Sequence, residues 1–274
     1  MARVIVVTSG KGGVGKTTVI SNLGVSLARL DLKVLLMDAD VGLRNLDLIL
    51  GLENRILFGA QDVLDETCTL ERTIVKDKRF PTLDFFPLST FQSPEAISKE
   101  DFQDFITTFN TGEKFNYDFI LIDSPAGIED GFLTAVEPAK EAIIVTTPEV
   151  TSIRDADRVV GILRSRGMAK INLIVNRVRL GMVERSSMMS TEDVSSILGL
   201  SLLGVIPDSE AIIIAANRGA PITSEDNTKS KINQAFEIIA KRLNGEDIDF
   251  MTFAANSPSS KNIIKNLLKK IIKP

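Results

Sequence analysis

One glycine-rich stretch near the start of the chain constrains the fold more than any other feature. Residues 6–18 have the sequence "VVTSGKGGVGKTT" and lie between an apolar run and a helical pattern. Gly10, Gly15, Lys16 and Thr17 have the spacing of a P-loop, whose backbone amides surround phosphate groups at the start of a helix. The template requires a strand before the loop and a helix after it, and both are predicted here. The sequence therefore predicts a nucleotide-binding domain of the P-loop NTPase type.

The two lysines of the loop are predicted to have different catalytic roles. We expect Lys16 to neutralise the β- and γ-phosphates of ATP, and the Thr17 hydroxyl to bind Mg²⁺. Lys11 is not needed for that task, and the glycines after it allow its side chain to point away from its own site. We therefore expect the Lys11 side chain to act away from its own site, the alternative being a solvated loop lysine. The other predicted nucleotide contacts in the loop are Gly10, Gly12, Gly13, Val14, Gly15 and Thr18.

Short β-branched runs alternate with longer helical patterns along the rest of the chain. Several runs are apolar at consecutive positions, as in "VIVV", "FILI" and "AIIV", which is typical of strands buried on both faces. This alternation predicts an α/β fold with a single doubly wound, mainly parallel sheet and helices on both faces. The predicted strands are residues 3–8, 33–38, 83–88, 117–123, 142–147, 171–176 and 202–206, and the predicted helices include residues 17–29, 100–109, 154–166 and 229–243.

Three aspartates end predicted strands at the edge of the sheet where the loop is expected. Asp38 and Asp40 follow the second strand, and Asp123 ends a later strand with the sequence "FILID". Ligands of open parallel sheets bind beyond the carboxyl ends of the strands. We assign Asp123, Asp38 and Thr17 to the metal site, and Asp40 to positioning the attacking water. The alternative is that these acids form helix caps or turns.

The composition argues against several other functions. Cys68 is the only cysteine and histidine is absent, so neither a disulfide framework nor a Cys/His metal site is expected. The formal net charge of −4 gives no indication of a nucleic-acid surface. No apolar run has transmembrane length, and we expect no leader before the strand that begins at Arg3.

The carboxyl-terminal part of the chain differs in composition from the rest. We predict one ATPase domain over residues 1–244, a polar linker over 245–258 and an amphipathic helix over 259–274. Residues 261–274 contain five lysines and no acid. Their aliphatic side chains fall on one half of a helix, which is typical of a helix that lies on a membrane surface. The alternative is a terminal helix docked on the domain. The residues predicted to contact lipid are Ile263, Ile264, Leu267, Leu268, Ile271 and Ile272, with Lys265 and Lys269 on the polar face.

The loop "KGGVGKTT" resembles that of the ParA/MinD family of deviant P-loop ATPases. The blocks "GLRNLDLILGLENR", "VKDKR" and "DSPAGIE" extend the resemblance over nearly the whole chain, and favour the branch that places the division site. The resemblance implies ATP and Mg²⁺ as cofactors and an ATP-dependent homodimer, in which Lys11 reaches the partner's nucleotide. It also implies a MinC-like division inhibitor and a MinE-like ATPase stimulator as partners. A DNA-partitioning ATPase of the ParA type is the alternative function.

The resemblance also implies roles for residues outside the loop. Asn176 would hydrogen-bond the adenine, and Pro207 and Asp208 would pack on the base. Asp155, in the block "RDADR", would contact the division inhibitor. The blocks "GLENR" and "IVTTPE" are similar to plastid and cyanobacterial members. We therefore expect a peripheral membrane protein that cycles with the soluble phase, with the chloroplast stroma and inner envelope favoured over the bacterial cytoplasm and inner membrane.

Overall fold

One sheet organises the domain. A computed structural model describes residues 1–40, 44–90, 97–111, 114–227 and 229–249. Within these residues, eight strands form a sheet in the order β3-β4-β2-β5-β1-β6-β7-β8. The strands are β1 (Arg3–Thr8), β2 (Val34–Asp38), β3 (Val75–Lys76), β4 (Leu83–Phe86), β5 (Phe119–Asp123), β6 (Glu141–Thr146), β7 (Lys170–Val178) and β8 (Ser201–Pro207). The predicted α/β architecture is confirmed.

The pairing of β1 determines where a ligand can bind. β1 pairs in parallel with β5 and β6, and β2 pairs in parallel with β5 and β4. Among the described strands, only β3 and β4 are antiparallel. The chain leaves β1 toward β2 on one side and later enters β6 on the other side, so the strand order reverses at β1. A crevice forms at the carboxyl ends of the strands beside such a reversal.

Helices cover both faces of the sheet. They are α1 (Lys16–Ala28), α2 (Leu46–Leu50), α3 (Ala60–Leu64), α4 (Leu70–Thr73), α5 (Lys99–Thr111), α6 (Asp130–Val136), α7 (Val150–Ser165), α8 (Leu180–Glu184), α9 (Thr191–Leu198), α10 (Glu210–Asn217) and α11 (Lys231–Leu243), with 3₁₀ turns at Glu53–Arg55 and Ile222–Ser224. α5, α6, α7 and α9 pack on one face, and α1, α2 and α11 pack on the other.

The double cover explains the uninterrupted apolar runs of the central strands. On β1, Val4 and Val6 belong to one apolar cluster, whereas Ile5 and Val7 belong to the cluster on the opposite face. Each branched aliphatic side chain that is fully buried contributes about 1.5–3 kcal/mol. Both faces of the strand are therefore selected to be apolar, and no alternation with polar residues remains.

The differences from prediction lie at the ends of elements and in the shortest strand. β7 continues to Val178 through an irregularity in its pairing with β8. α7 begins at Val150, four residues before the predicted start. The sequence did not predict this first turn because most of its residues are β-branched, which weakens the helical pattern. β3 was not predicted because two residues are too few for a periodic signal. The predicted amphipathic helix over residues 259–274 lies outside the described residues.

The part of the chain that the structure describes contains no helix with both the length and the apolar character needed to cross a bilayer.

Candidate functional site

A cleft of about 940 Å³ opens at the carboxyl edge of the sheet. One wall is the glycine-rich loop after β1, of which residues 12–18 line the cleft. Two further walls are formed by the end of α2 and by residues 216–219 at the end of α10. Asp40 also lines the cleft. The volume is in the range of small-molecule sites.

A buried ion pair forms the floor of this cleft. The Nζ of Lys16 lies 2.8 Å from Oδ1 of Asp123, with the two side chains 8% and 1% exposed. Lys16 begins α1 and Asp123 ends β5, so the pair joins the loop to the neighbouring strand. A buried charge is stable only when it is paired and hydrogen-bonded. The lysine predicted to neutralise phosphates is therefore in contact with the aspartate predicted to lie at the metal.

The surroundings of Asp123 favour and oppose its ionisation at the same time. Burial raises the pKa of Asp123 above its ordinary value, and the carboxylate of Asp40 adds to this rise. The Lys16 ammonium and a hydrogen bond from Thr17 oppose the rise. The structure thus brings Thr17, Asp40 and Asp123 together beside Lys16. Their catalytic and metal-binding roles stay predictions.

Asp38 holds the chain that follows β2. Its Oδ1 accepts a hydrogen bond from the backbone N–H of Asp40 at 3.0 Å, and its Oδ2 accepts from Asn45 at 3.2 Å and Leu46 at 3.1 Å. Burial, followed by the nearby carboxylate of Asp123, raises the pKa of Asp38 to about 7. Asp38 therefore caps the start of α2, which is the alternative raised for it from sequence, and its predicted place at the metal is untested.

The residues at the cleft fit a magnesium ion that is held mainly by phosphates. Among the described residues, no group of three His, Cys, Asp or Glu side chains is arranged to hold a metal. Mg²⁺ keeps several waters and often binds through one or two carboxylates and the phosphates of its substrate. The hydroxyl of Thr17 and the carboxylate of Asp123 supply oxygen donors of the type that Mg²⁺ prefers.

Lys11 is not part of the cleft lining and contacts the start of α7. Its Nζ lies 3.4 Å from Oε2 of Glu149 and 3.2 Å from Oγ1 of Thr151. The Lys11 and Glu149 side chains are 35% and 60% exposed. Ion pairs this exposed contribute little to stability. Lys11 can therefore exchange this partner for a more strongly charged one at small cost.

The residues predicted to bind the adenine line a recess of about 190 Å³ beside the loop. Asn176, Pro207 and Asp208 all line it. The Nδ2 of Asn176 donates to the carbonyl oxygen of Val14 at 2.8 Å, and its Oδ1 accepts from the backbone N–H of Arg177 at 2.9 Å. Asn176 therefore stabilises the conformation of the loop through Val14. Its contact with adenine stays a prediction.

The start of the loop lies against the backbone of α7. A Cβ atom added to Gly10 would lie 2.1 Å from the carbonyl carbon of Asp155 and 2.4 Å from its oxygen. Only glycine permits so close an approach of two backbones. Gly10 therefore serves the packing of the loop on α7, and the described geometry does not place it in the cleft. The side chain of Asp155, the predicted partner contact, is half-buried.

Replacing Gly10 by alanine is expected to displace the loop from α7. Backbone atoms of a helix cannot move aside as a flexible side chain would, so we expect the free energy of unfolding to fall by about 1–3 kcal/mol. Calorimetric titration with Mg-ADP should also show weaker binding. Gly161→Ala is the matched control on α7, where an added Cβ meets no atom within 4 Å. An unchanged unfolding curve for Gly10→Ala would contradict the proposed packing.

Sequence inspection missed several residues of the site. Glu149 follows β6 at the same edge of the sheet as the aspartates, so the rule that found Asp123 also applies to it. Thr151 carries no such signal. Arg177 lines the cleft and has a left-handed backbone with φ of 57°, which is uncommon outside glycine and is not visible in the sequence.

The fold and the loop together define a P-loop NTPase of the ParA class. The ParA family model, described as NUBPL iron-transfer P-loop NTPase, matches residues 1–244. A septum site-determining protein MinD of Emiliania huxleyi is 53% identical over 273 residues, which cover 100% of this chain and 98% of that protein. MinD of Synechocystis sp. is 51% identical over 268 residues, which cover 98% of this chain and 99% of that protein. The chain belongs to the MinD family of septum site-determining proteins.

Solved structures agree with this membership. MinD in the MinC:MinD complex of Aquifex aeolicus is 48% identical, with a TM-score of 0.83, and the match covers 90% of this chain and 98% of that one. MinD of Pyrococcus horikoshii, complexed with Mg-ADP, is 31% identical, with a TM-score of 0.78 and coverage of 89% and 97%. A ParA family ATPase from Chlorobium tepidum, at 22% identity and a TM-score of 0.68, shares the fold alone.

Proposed function

We propose that this chain is a Mg²⁺-dependent ATP hydrolase that dimerises on ATP and places the division site as MinD proteins do. The observation that carries the proposal is the buried contact between Lys16 and Asp123 at the floor of the cleft. It joins the phosphate-binding lysine to the metal-site aspartate on a chain that matches MinD proteins along nearly its full length.

The first event at the site is an exchange of partners by Lys16. The Lys16 ammonium leaves Asp123 for the triphosphate, which carries more negative charge. Asp123 and the Thr17 hydroxyl would then be free to hold Mg²⁺. When bound, Mg²⁺ neutralises charge on the β- and γ-phosphates. The loop amides hold the phosphates in line, so catalysis is mainly positioning and neutralisation of charge.

We assign the positioning of the attacking water to Asp40. Asp40 follows β2 and lines the cleft near Asp123. Its backbone N–H donates a hydrogen bond to Asp38, which anchors the chain at this point. A residue of this kind orients a water for attack on the γ-phosphate.

A dimer on the face that carries Lys11 would complete the site. Beside the Lys11–Glu149 contact, Val150 and Ile213 are 69% and 59% exposed, and both line a groove that also includes Glu149. Exposed apolar side chains grouped on one face are typical of an interaction surface. Lys11 would leave Glu149 for the nucleotide of the partner, which makes dimerisation depend on ATP.

The partners are proposed from the relatives. The Aquifex aeolicus protein is found in a complex with MinC. We propose a MinC-like inhibitor as a partner here, with Asp155 on α7 among its contacts, and a MinE-like protein as the stimulator of hydrolysis. The relatives from an alga and a cyanobacterium fit an origin in a plastid or a bacterium.

Membrane attachment is proposed to depend on residues 259–274 and on ATP. Two amphipathic helices on one dimer bind a surface about 10²–10⁴ times more tightly than one does. We expect the full chain to sediment with anionic vesicles in ATP and to remain in the supernatant in ADP. Deletion of residues 259–274 should abolish sedimentation and leave ATP-dependent dimerisation intact.

Point variants separate the apolar face of the predicted helix from its charge. Leu267→Gln together with Leu268→Gln, which leaves the charge unchanged, should reproduce the deletion, whereas Asn266→Gln, on the polar face, should sediment as the parent does. If the deletion variant sediments as well as the full chain, the tail is not the membrane anchor. If sedimentation is the same in ATP and ADP, attachment does not follow dimerisation.

A further inference from the structure

An arginine outside the loop links the two walls of the cleft that α2 and α10 form. Arg79 follows β3 in the block "VKDKR". Its Nη2 lies 2.6 Å from Oδ2 of Asp77, its Nε lies 3.0 Å from Oδ1, and its backbone N–H also donates to Oδ1 at 2.7 Å. Asp77 is buried, with 3% of its surface exposed. The two-point contact fixes the plane of the guanidinium.

The guanidinium, oriented in this way, reaches backbone oxygens on both walls. Its Nη2 donates to the carbonyl oxygen of Leu50 at 2.6 Å, and Nη1 lies 3.5 Å from the carbonyl oxygen of Gly219. Leu50 ends α2, and Gly219 follows α10. Carbonyl groups at helix ends lack partners within the helix. A single cation therefore holds the ends of two helices that are far apart in sequence.

The two walls touch at glycines beside these carbonyls. A Cβ atom added to Gly51 would lie 2.3 Å from the carbonyl oxygen of Gly219. Both glycines have left-handed backbones, with φ of 66° and 63°, and both line the cleft. The spacing of the walls at this point is therefore determined by backbone contact and by the position of Arg79.

α2 is held at its other end by the site itself. Asp38 accepts hydrogen bonds from Asn45 and Leu46 at the start of the helix. Arg79 holds Leu50 at its end. The side chains of Leu48 and Ile49 lie between these two attachments and line the cleft. Release of either end would leave this wall able to move relative to the loop.

We propose that Arg79, oriented by Asp77, is a positioning residue that sets the separation of the α2 and α10 walls and thereby the affinity of the cleft for nucleotide. The inference rests on the proposed function, because it takes the cleft to be the ATP site. Among the described residues, Arg79 is not part of the cleft lining, and its hydrogen bonds go to Asp77, Leu50 and Gly219, so it acts on the α2 and α10 walls. Nucleotide affinity should respond to its removal more than the chemical step does.

Titration of the full chain with Mg-ADP tests the proposal. For Arg79→Ala we expect the dissociation constant to rise about tenfold, the effect of losing a hydrogen bond to a charged group. In steady-state hydrolysis with anionic vesicles, KM for ATP should rise by a similar factor while kcat stays within about twofold of the parent. The dissociation constant of Arg79→Lys should lie between those of the parent and Arg79→Ala. An ammonium can reach one carbonyl oxygen but lacks the planar guanidinium that contacts two. Lys78→Ala, next to it and exposed, should match the parent.

A double variant separates positioning from stability. Arg79→Ala leaves the buried Asp77 without its cation, so the melting temperature of the nucleotide-free chain should fall. Asp77→Asn combined with Arg79→Ala removes that buried charge, and we expect melting to recover while Mg-ADP binding stays weak. Parental affinity in the double variant, or a fall in kcat with KM unchanged, would overturn the proposal. Failure of the parent chain itself to bind Mg-ADP would instead overturn the proposed function, and the inference with it.

Discussion

Replacing Lys16 by alanine is expected to abolish ATP hydrolysis and ATP-dependent dimerisation. The ammonium of Lys16 is the cation at the floor of the cleft, 2.8 Å from Asp123. Without it, the phosphates lose the cation that the loop itself supplies, and less of the charge that develops in the transition state is neutralised. Phosphate release and light scattering in ATP and in ADP measure the two losses.

The same substitution should also destabilise the nucleotide-free chain. Removing one partner of a buried ion pair costs about 3–5 kcal/mol, because the other charge is left in the interior. Burial already raises the pKa of Asp123, so the carboxyl can take up a proton, and we expect a loss at the lower end of that range. Urea unfolding of Lys16→Met, which keeps most of the side-chain volume, isolates the electrostatic part.

A second substitution separates the two effects of Lys16. Lys16→Met combined with Asp123→Asn removes both charges, so stability should return toward the parental value while hydrolysis stays absent. Hydrolysis by Lys16→Ala at more than a few per cent of the parental rate would contradict the assignment of Lys16 to the phosphates.

Asp40→Ala is expected to separate dimerisation from turnover. Nucleotide binding depends on the loop and on Lys16, which this substitution leaves unchanged, so the dimer should form in ATP. Hydrolysis should fall by at least about 10²-fold, the usual contribution of a residue that positions or activates a water. Because hydrolysis would no longer dissociate the dimer, the Asp40→Ala dimer should persist long after the parental dimer has dissociated.

Two controls accompany Asp40→Ala. Asp40→Asn keeps the size of the side chain and should be nearly as slow, which assigns the effect to the carboxylate. Asp65→Asn, at an exposed residue outside the cleft lining, should hydrolyse ATP as the parent does. An Asp40→Ala protein with the parental rate would show that another group orients the water.

The sequence predicted those parts of the fold and site whose signal is contiguous. The strand, loop and first helix were placed to within one residue at each end, because the P-loop template spans one short segment. Asp123 was found because it ends an uninterrupted apolar strand. The sheet followed from such strands alternating with helices.

Contacts between distant segments could not be predicted. Lys11 and Glu149 are separated by 138 residues, and nothing in the loop indicates where the lysine rests. Arg79 binds the carbonyl oxygens of Leu50 and Gly219. Every residue type has a backbone carbonyl, so the sequence does not indicate which residues accept these hydrogen bonds. Asp38 is assigned to the metal from its place at the end of β2, whereas its hydrogen bonds to Asn45 and Leu46 form only once α2 has folded back.

The packing of Gly10 on α7 means that the helix and the loop cannot change position independently. Glu149 and Thr151 contact Lys11 at the start of this region, and the backbone of Asp155 touches Gly10 about one turn further along. A molecule bound to the outer side of α7 and a nucleotide bound on the loop therefore act on one rigid unit. By thermodynamic reciprocity, whatever factor the nucleotide applies to the affinity for that molecule, the molecule applies to the affinity for the nucleotide.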